Sequence, residues 1–202
     1  MIFIDGFGNA AFEILQNWKI ASGITTNTTI LKREGYSFTK AVSILRNLPG
    51  THFVQISLRG MDWKRVLEDL DEKGKFVVKV VWKLPEAIEI AGILHDMGMR
   101  VCATAVYDSA QVLAAKEAEV EWVAIYYDRM IRAGMEPKKL IGFSVAQGMR
   151  VIVASLKGKR QIEDAVKSGA QDITLPPDVF LEYFSIEFPH DDFEKFEEDY
   201  EL

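Results

Sequence analysis

A chain of 202 residues, 49% hydrophobic and 27% charged, has the makings of one ordinary globular domain with a full core. Its net charge of −6 excludes the basic surplus of a nucleic-acid binder, and no apolar run approaches the ~20 residues that cross a bilayer, so no membrane partner is expected. The single cysteine, Cys102, rules out an intrachain disulfide and stands at no metal-ligand spacing from His52, His95 or His190. Neither a structural metal nor a cofactor is expected. The opening Met1–Asp5 lacks the basic region and cleavage site of a signal peptide, so a cytoplasmic location is the expectation.

Short apolar runs alternate with amphipathic stretches along the chain. Strands are expected at 2–5, 22–26, 52–57 and 76–82, then at 100–105, 121–126, 150–155 and 172–175. Helices fall between them at 10–19, with Asn9 as N-cap, and at 62–73, with Trp63, Val66, Leu67 and Leu70 on one face. Others follow at 85–97, opened by Pro85, and at 108–118, 136–148 and 159–168. No repeat or linker interrupts the pattern. Eight rounds of strand and helix imply a parallel sheet closed into a compact (β/α)8 TIM barrel over residues 1–189.

The stretch Lys75–Trp82 carries the first chemical signal. Phe76, Val77, Val78, Val80 and Val81 read as a strand covered on both faces, and Lys79 sits in the middle of it. An ammonium there must find a partner, reach solvent at the strand end, or give up its proton, because desolvation penalises the charged form. A desolvated amine is a nucleophile for carbonyl groups; a lysine that merely pairs with a carboxylate is the alternative. Chemistry in a parallel barrel belongs at the C-terminal ends of strands. There the sequence collects Asp5, Thr26, Asn27, Gln55, Lys79, Thr104, Tyr126 and Ser155, all converging on one mouth. Asp5 and Asn27 could instead cap helices, and Gln55 and Thr104 could serve backbone groups. The run Gly6-Phe-Gly8-Asn-Ala-Ala11 mimics a dinucleotide fingerprint but ends in alanine and places an acid before the turn, so no nucleotide is expected.

Taken together, Ile2–Asp5, Gly23-Ile-Thr-Thr-Asn27, Val77-Val-Lys79-Val, Thr104–Gln111, Trp122–Tyr126 with Arg129, Val153-Ala-Ser155-Leu-Lys157 and Asp172–Pro177 resemble the short transaldolase family. The fructose-6-phosphate aldolase branch is the most similar. The resemblance implies class I aldolase chemistry, with Lys79 as the Schiff-base lysine and Asp5 as the acid/base at the C4 hydroxyl. Gln55, Thr104 and Tyr126 match the trio holding a catalytic water. Thr26 and Asn27 match substrate positioning, and Arg129, Ser155 and Lys157 match a phosphate site. Gln55, Cys102 and Tyr126 side with the aldolase branch, where transaldolases carry Glu, Asn and Phe. Transfer of a dihydroxyacetone unit between sugar phosphates is the alternative, and a non-catalytic sugar-phosphate-binding barrel is another. The substrates implied are sugar phosphates or small ketoses and aldehydes.

The sequence departs from the family pattern at Thr28, Val81 and Ile125, each in place of a proline. Asp108 brings a charge near the mouth, and Ile131 stands where an acid is usual. Residues 190–202 carry seven acids and one lysine, the whole net charge of the chain. With Phe193, Phe196 and Tyr200 at i, i+3 and i+7 they read as an acidic amphipathic helix docked either on its own barrel or on a neighbouring subunit. The resemblance implies a homo-oligomer, a decamer or pentamer.

Overall fold

The computed structural model describes residues 1–59, 62–68, 73–186 and 192–200. Eight parallel strands close in sequential order into a barrel: β1 (Ile2–Asp5), β2 (Ala21–Thr25), β3 (His52–Gln55), β4 (Phe76–Val81), β5 (Arg100–Val106), β6 (Trp122–Tyr126), β7 (Arg150–Ala154) and β8 (Asp172–Leu175). The first half of the barrel is wrapped by α1 (Asn9–Asn17), α2 (Thr28–Arg33), α3 (Phe38–Leu45), α4 (Asp62–Glu68) and α5 (Glu86–Asp96). The second half carries α6 (Ser109–Glu117), α7 (Tyr127–Arg132), α8 (Pro137–Ala146), α9 (Lys159–Lys167), α10 (Pro177–Phe184) and α11 (Asp192–Tyr200). No described helix is long and apolar enough to cross a membrane.

The eight strands lie where the hydrophobic runs place them, to within two residues at either end. The helices required more correction. Asn9 is the first helical residue rather than the cap. Gly8, at φ 107°, makes the turn and no side chain caps the helix. The sequence reading missed α2, α3, α7 and α10. The first three are short or polar at their start, and Pro176-Pro177 reads as a breaker although proline at the first helical position is favourable. Of the helix expected over 62–73, α4 accounts for 62–68. Residues 69–72, with Leu70, lie outside the described residues, and Lys73–Lys75 form a 3-10 turn.

Period-two alternation sorts the strand residues into two cores. Outward residues such as Phe76, Val78 and Val80 pack under the helices with Trp63, Leu67 and Leu94. Inward residues Phe3, Phe53, Val77, Cys102, Trp122 and Ile152 fill the barrel. Burying side chains of this kind is worth about 1.5–3 kcal/mol each. The Phe53 ring meets Phe3 and Trp122 edge-on, at 5.1 and 5.3 Å between centroids. β2 joins β3 through one thin ladder, and the chain approaches so closely there that a Cβ on Gly23 would overlap the Thr51 carbonyl. Because Val77 faces inward, Lys79 two residues later must too.

At the N-terminal end of the barrel several described charges meet partners. Asp172 accepts from Arg150 Nε at 2.6 Å, from Trp122 Nε1 at 2.9 Å and from the N-terminal ammonium at 2.8 Å. Arg100 and Arg150 sandwich the Trp122 ring, 4.5 and 4.7 Å from its centroid. His52, fully buried, accepts the Ile24 N–H on Nδ1 at 3.2 Å, so Nε2 carries the proton and donates to the Leu48 carbonyl at 3.3 Å.

Candidate active site

The opposite end holds a cavity of about 570 Å³, within the range of small-molecule sites. Lys79, from β4, reaches it with 4% of its surface exposed. Its ammonium donates to the Thr26 carbonyl at 3.1 Å, and it is in no ion pair among the described residues. The strand geometry thus delivers a cation to the barrel interior with one neutral acceptor.

Asp5, at the end of β1, lines the same cavity. Withdrawal from water raises its pKa above the ordinary carboxylate value. Lys79, a hydrogen bond from Thr25 Oγ1 at 3.1 Å, Lys157 and Arg129 offset only part of that. Thr25 Oγ1 also meets Thr174 Oγ1 at 2.7 Å, which fixes the hydroxyl from the far side. Asp5 therefore holds a proton more readily than a solvated aspartate does.

Tyr126, the last residue of β6, is 8% exposed and shares a 2.9 Å hydrogen bond with the buried Thr104 hydroxyl. The Arg129 guanidinium lies over the Tyr126 ring, 4.6 Å from its centroid. Arg129, Ser155 and Lys157 line the cavity wall beyond it. Ser155 adopts a left-handed φ of 61°, and its carbonyl accepts the Asp128 N–H at 3.2 Å. Gln161 holds this turn. Its oxygen accepts the Lys157 N–H at 2.8 Å, and its amide donates to Asp128 at 3.2 Å. Such strain costs of order 1 kcal/mol and persists only where neighbours enforce it, as they do here.

The remaining expected residues take more particular places. Asn27 lines the cavity but spends its oxygen capping α2, accepting the Ile30 N–H at 2.9 Å. Its amide nitrogen is what remains for a ligand. Thr26 is fully buried: its carbonyl holds Lys79, while its hydroxyl has no hydrogen-bond partner. Thr104 reaches the cavity through the Tyr126 hydroxyl rather than by lining it. Gln55 is partly exposed, with its amide 3.5 Å from the hydroxyl of Thr28, the residue standing where the family has proline. Asp108 is not part of the cavity lining; its carboxylate caps α6 and accepts the Gln111 N–H at 2.8 Å. Among the described residues no cluster of His, Cys, Asp and Glu could hold a metal ion.

Sequence reasoning overlooked Arg33, Asp178 and Glu182, which also line the cavity. Arg33 lies on α2 and the two acids on α10, helices that the apolar periodicity does not mark. The Asn27 cap and Pro176-Pro177 were the signals that could have revealed them.

A parallel barrel that brings a buried lysine, a carboxylate of raised pKa and the cations Arg129 and Lys157 to one cavity at its C-terminal mouth has the makings of an enzyme site. The chain belongs to the transaldolase/fructose-6-phosphate aldolase family, whose family model matches residues 62–200, and it is an aldolase-type enzyme. It is 29% identical over 187 residues to a Streptococcus pneumoniae protein named "Probable fructose-6-phosphate aldolase", covering 85% of this chain and 84% of that protein. Among solved structures it resembles a FabK mutant from Thermotoga maritima, with a TM-score of 0.51 and 17% identity over 68% of this chain. This chain spans 48% of that protein, and the likeness is one of fold.

Proposed function

We propose that the chain cleaves and forms fructose 6-phosphate, with dihydroxyacetone and glyceraldehyde 3-phosphate as the three-carbon partners. The observation that carries this reading is Lys79, inward and nearly dry, in one cavity with a carboxylate of raised pKa and a cationic wall. As a free amine, Lys79 Nζ adds to the C2 carbonyl and water leaves, giving an iminium. Asp5 takes the C4 hydroxyl proton, the C3–C4 bond breaks, and the bonding pair flows into the iminium to leave an enamine and an aldehyde. Tyr126, backed by Thr104 and joined in this reading by Gln55, supports a water that returns a proton to C3. Hydrolysis then frees dihydroxyacetone and Lys79. Arg129, Ser155 and Lys157 bind the phosphate, with Thr26 and Asn27 positioning the donor end.

Transfer to an acceptor aldehyde is the second reading within this chemistry, and the Tyr126 hydroxyl favours cleavage over it. The test is release of glyceraldehyde 3-phosphate from fructose 6-phosphate with and without erythrose 4-phosphate, paired with borohydride trapping of dihydroxyacetone. Cleavage without acceptor and a reduced adduct mapped to Lys79 are expected. No adduct, or one on another lysine, refutes the mechanism.

The C-terminal helix belongs to the same reading as a contact between subunits. Phe196 and Tyr200 are 68% and 89% exposed, which supports docking on a neighbouring subunit. Leaving such rings in water is unfavourable. Deleting residues 190–202 should lower the mass measured by light scattering. An unchanged mass would leave the helix without this role. A cytoplasmic location fits a sugar-phosphate enzyme with one buried thiol.

A further inference from the structure

We propose that Gln161 is a positioning residue for the phosphate of the substrate. It braces the turn after β7 against the turn after β6, so that Ser155, Lys157 and Arg129 are held ready for one anion. The inference rests on the aldolase reading above and adds to it a residue that lies outside the cavity.

Gln161 uses both ends of its side chain. The oxygen accepts the Lys157 N–H at 2.8 Å, and the amide donates to Asp128 Oδ1 at 3.2 Å. Asp128 also gives its own N–H to the Ser155 carbonyl at 3.2 Å, so one residue holds the segment from Ser155 to Lys157 at both ends. Arg132 steadies that carboxylate from one helical turn further on, at 2.9 Å. Arg129 is the next residue after Asp128. Three lining residues from two strand ends are thereby joined through a side chain that does not line the cavity. Ser155, at φ 61°, keeps its left-handed backbone only where neighbours enforce it. A turn ordered during folding does not have to be ordered when the ligand arrives, and that difference appears as affinity.

The chain carries a second brace of the same design. After β5, Ala105 has φ 60°, and the Tyr107 N–H donates to Gln111 Oε1 at 2.8 Å. Gln111 Nε2 then donates to the Trp82 carbonyl, just beyond β4, at 2.8 Å. Each glutamine is the third residue of its helix, α6 or α9, and reaches back to an N–H ahead of it, much as in a capping box. Helix capping is therefore common to both. The difference is what the braced turn carries: Ser155 and Lys157 line the cavity, whereas Ala105 and Tyr107 do not.

The experiment condenses dihydroxyacetone with glyceraldehyde 3-phosphate or with unphosphorylated glyceraldehyde and compares the two aldehyde KM values. A phosphorus NMR titration with inorganic phosphate reads binding directly. Gln161→Leu should raise the ratio of phosphorylated to unphosphorylated KM, and the dissociation constant of inorganic phosphate, about tenfold, the lower end for a hydrogen bond to a charged group. Gln111→Leu removes the same kind of cap and should lower Tm without changing the ratio. Asp128→Asn still accepts from Gln161 and should raise the ratio less than Asp128→Ala, which has the same charge. Asp128→Ala added to Gln161→Leu should raise it no further than the larger single change. A ratio unchanged in Gln161→Leu, or raised equally in Gln111→Leu, overturns the proposal and leaves Gln161 a helix cap. Should Gln161→Leu fail to fold, the two Asp128 variants decide, and equal ratios in them overturn it. If the aldolase reading itself fails, the parent protein condenses neither aldehyde, while the phosphate titration still compares Gln161→Leu with Gln111→Leu.

Discussion

Two aspartates at opposite ends of the barrel are pushed in opposite directions. Asp172 opens β8 at the N-terminal end, and Asp5 closes β1 at the mouth. Desolvation raises the pKa of both. At Asp172 it is overcome by hydrogen bonds from Arg150, the N-terminal ammonium and Trp122, which hold the carboxyl below its ordinary value. At Asp5 a hydrogen bond from Thr25 and the nearby cations do not make up the loss of water. The same chemical group therefore gives up its proton more readily at one end, where it ties strands together, and holds it more readily at the other. Among the described residues, one end of the barrel gives Asp172 three donors, and the other keeps a lysine on a single carbonyl, a threonine hydroxyl with no partner and a left-handed serine. That contrast is how the fold separates stability from reactivity.

The contrast is tested most strongly at Tyr126. Tyr126→Phe keeps the ring under Arg129 and removes the hydroxyl bonded to Thr104. Acceptor-independent cleavage of fructose 6-phosphate should fall ~10²–10⁴-fold, the usual cost of a positioned proton-transfer group. Imine formation at Lys79 should persist, and the ratio of transfer to erythrose 4-phosphate over cleavage should rise. Gln55→Glu added to it should push the ratio further. Equal ratios in wild type and Tyr126→Phe would break the assignment of proton return to this residue, whatever the absolute rates.

The other end is tested by acid. Burial pushes the His52 pKa down to about 4 from 6.5, so the folded protein keeps it neutral while the unfolded chain accepts a proton. Between pH 6.5 and 4 the unfolded state binds more protons, and stability must fall as pH falls, by about 3 kcal/mol across the window. Below the ordinary aspartate range the loss continues, because protonating Asp172 removes the charge that its three donors share. Denaturant melts from pH 7 to 4 check this, with His52→Gln expected to flatten the slope in the upper window. A slope unaltered by that substitution would remove His52 from the account. Asp5 has the opposite sign, its raised pKa making the mouth less costly to fold as pH falls.

The chain by itself determined the periodic features. Short apolar runs set between amphipathic stretches marked all eight strands, and the period-two alternation of strand side chains turned Lys79 inward with Val77. Order along the chain told which residues lie at the mouth, since every strand in a parallel barrel points the same way. These are short-range regularities, readable in windows of a few residues. What each polar atom does there was decided by partners far away in sequence. Asn27 and Asp108 gave their oxygens to helix caps, Thr26 supplied a carbonyl instead of its hydroxyl, and Arg33 came to the mouth on a helix that no apolar periodicity marks. The opposite shifts of Asp5 and Asp172 depend on whether donors 20, 22, 50 or 171 residues distant arrive to compensate desolvation. No local pattern encodes that count, because a carboxylate's proton affinity is set by how many donors closing the barrel brings to it.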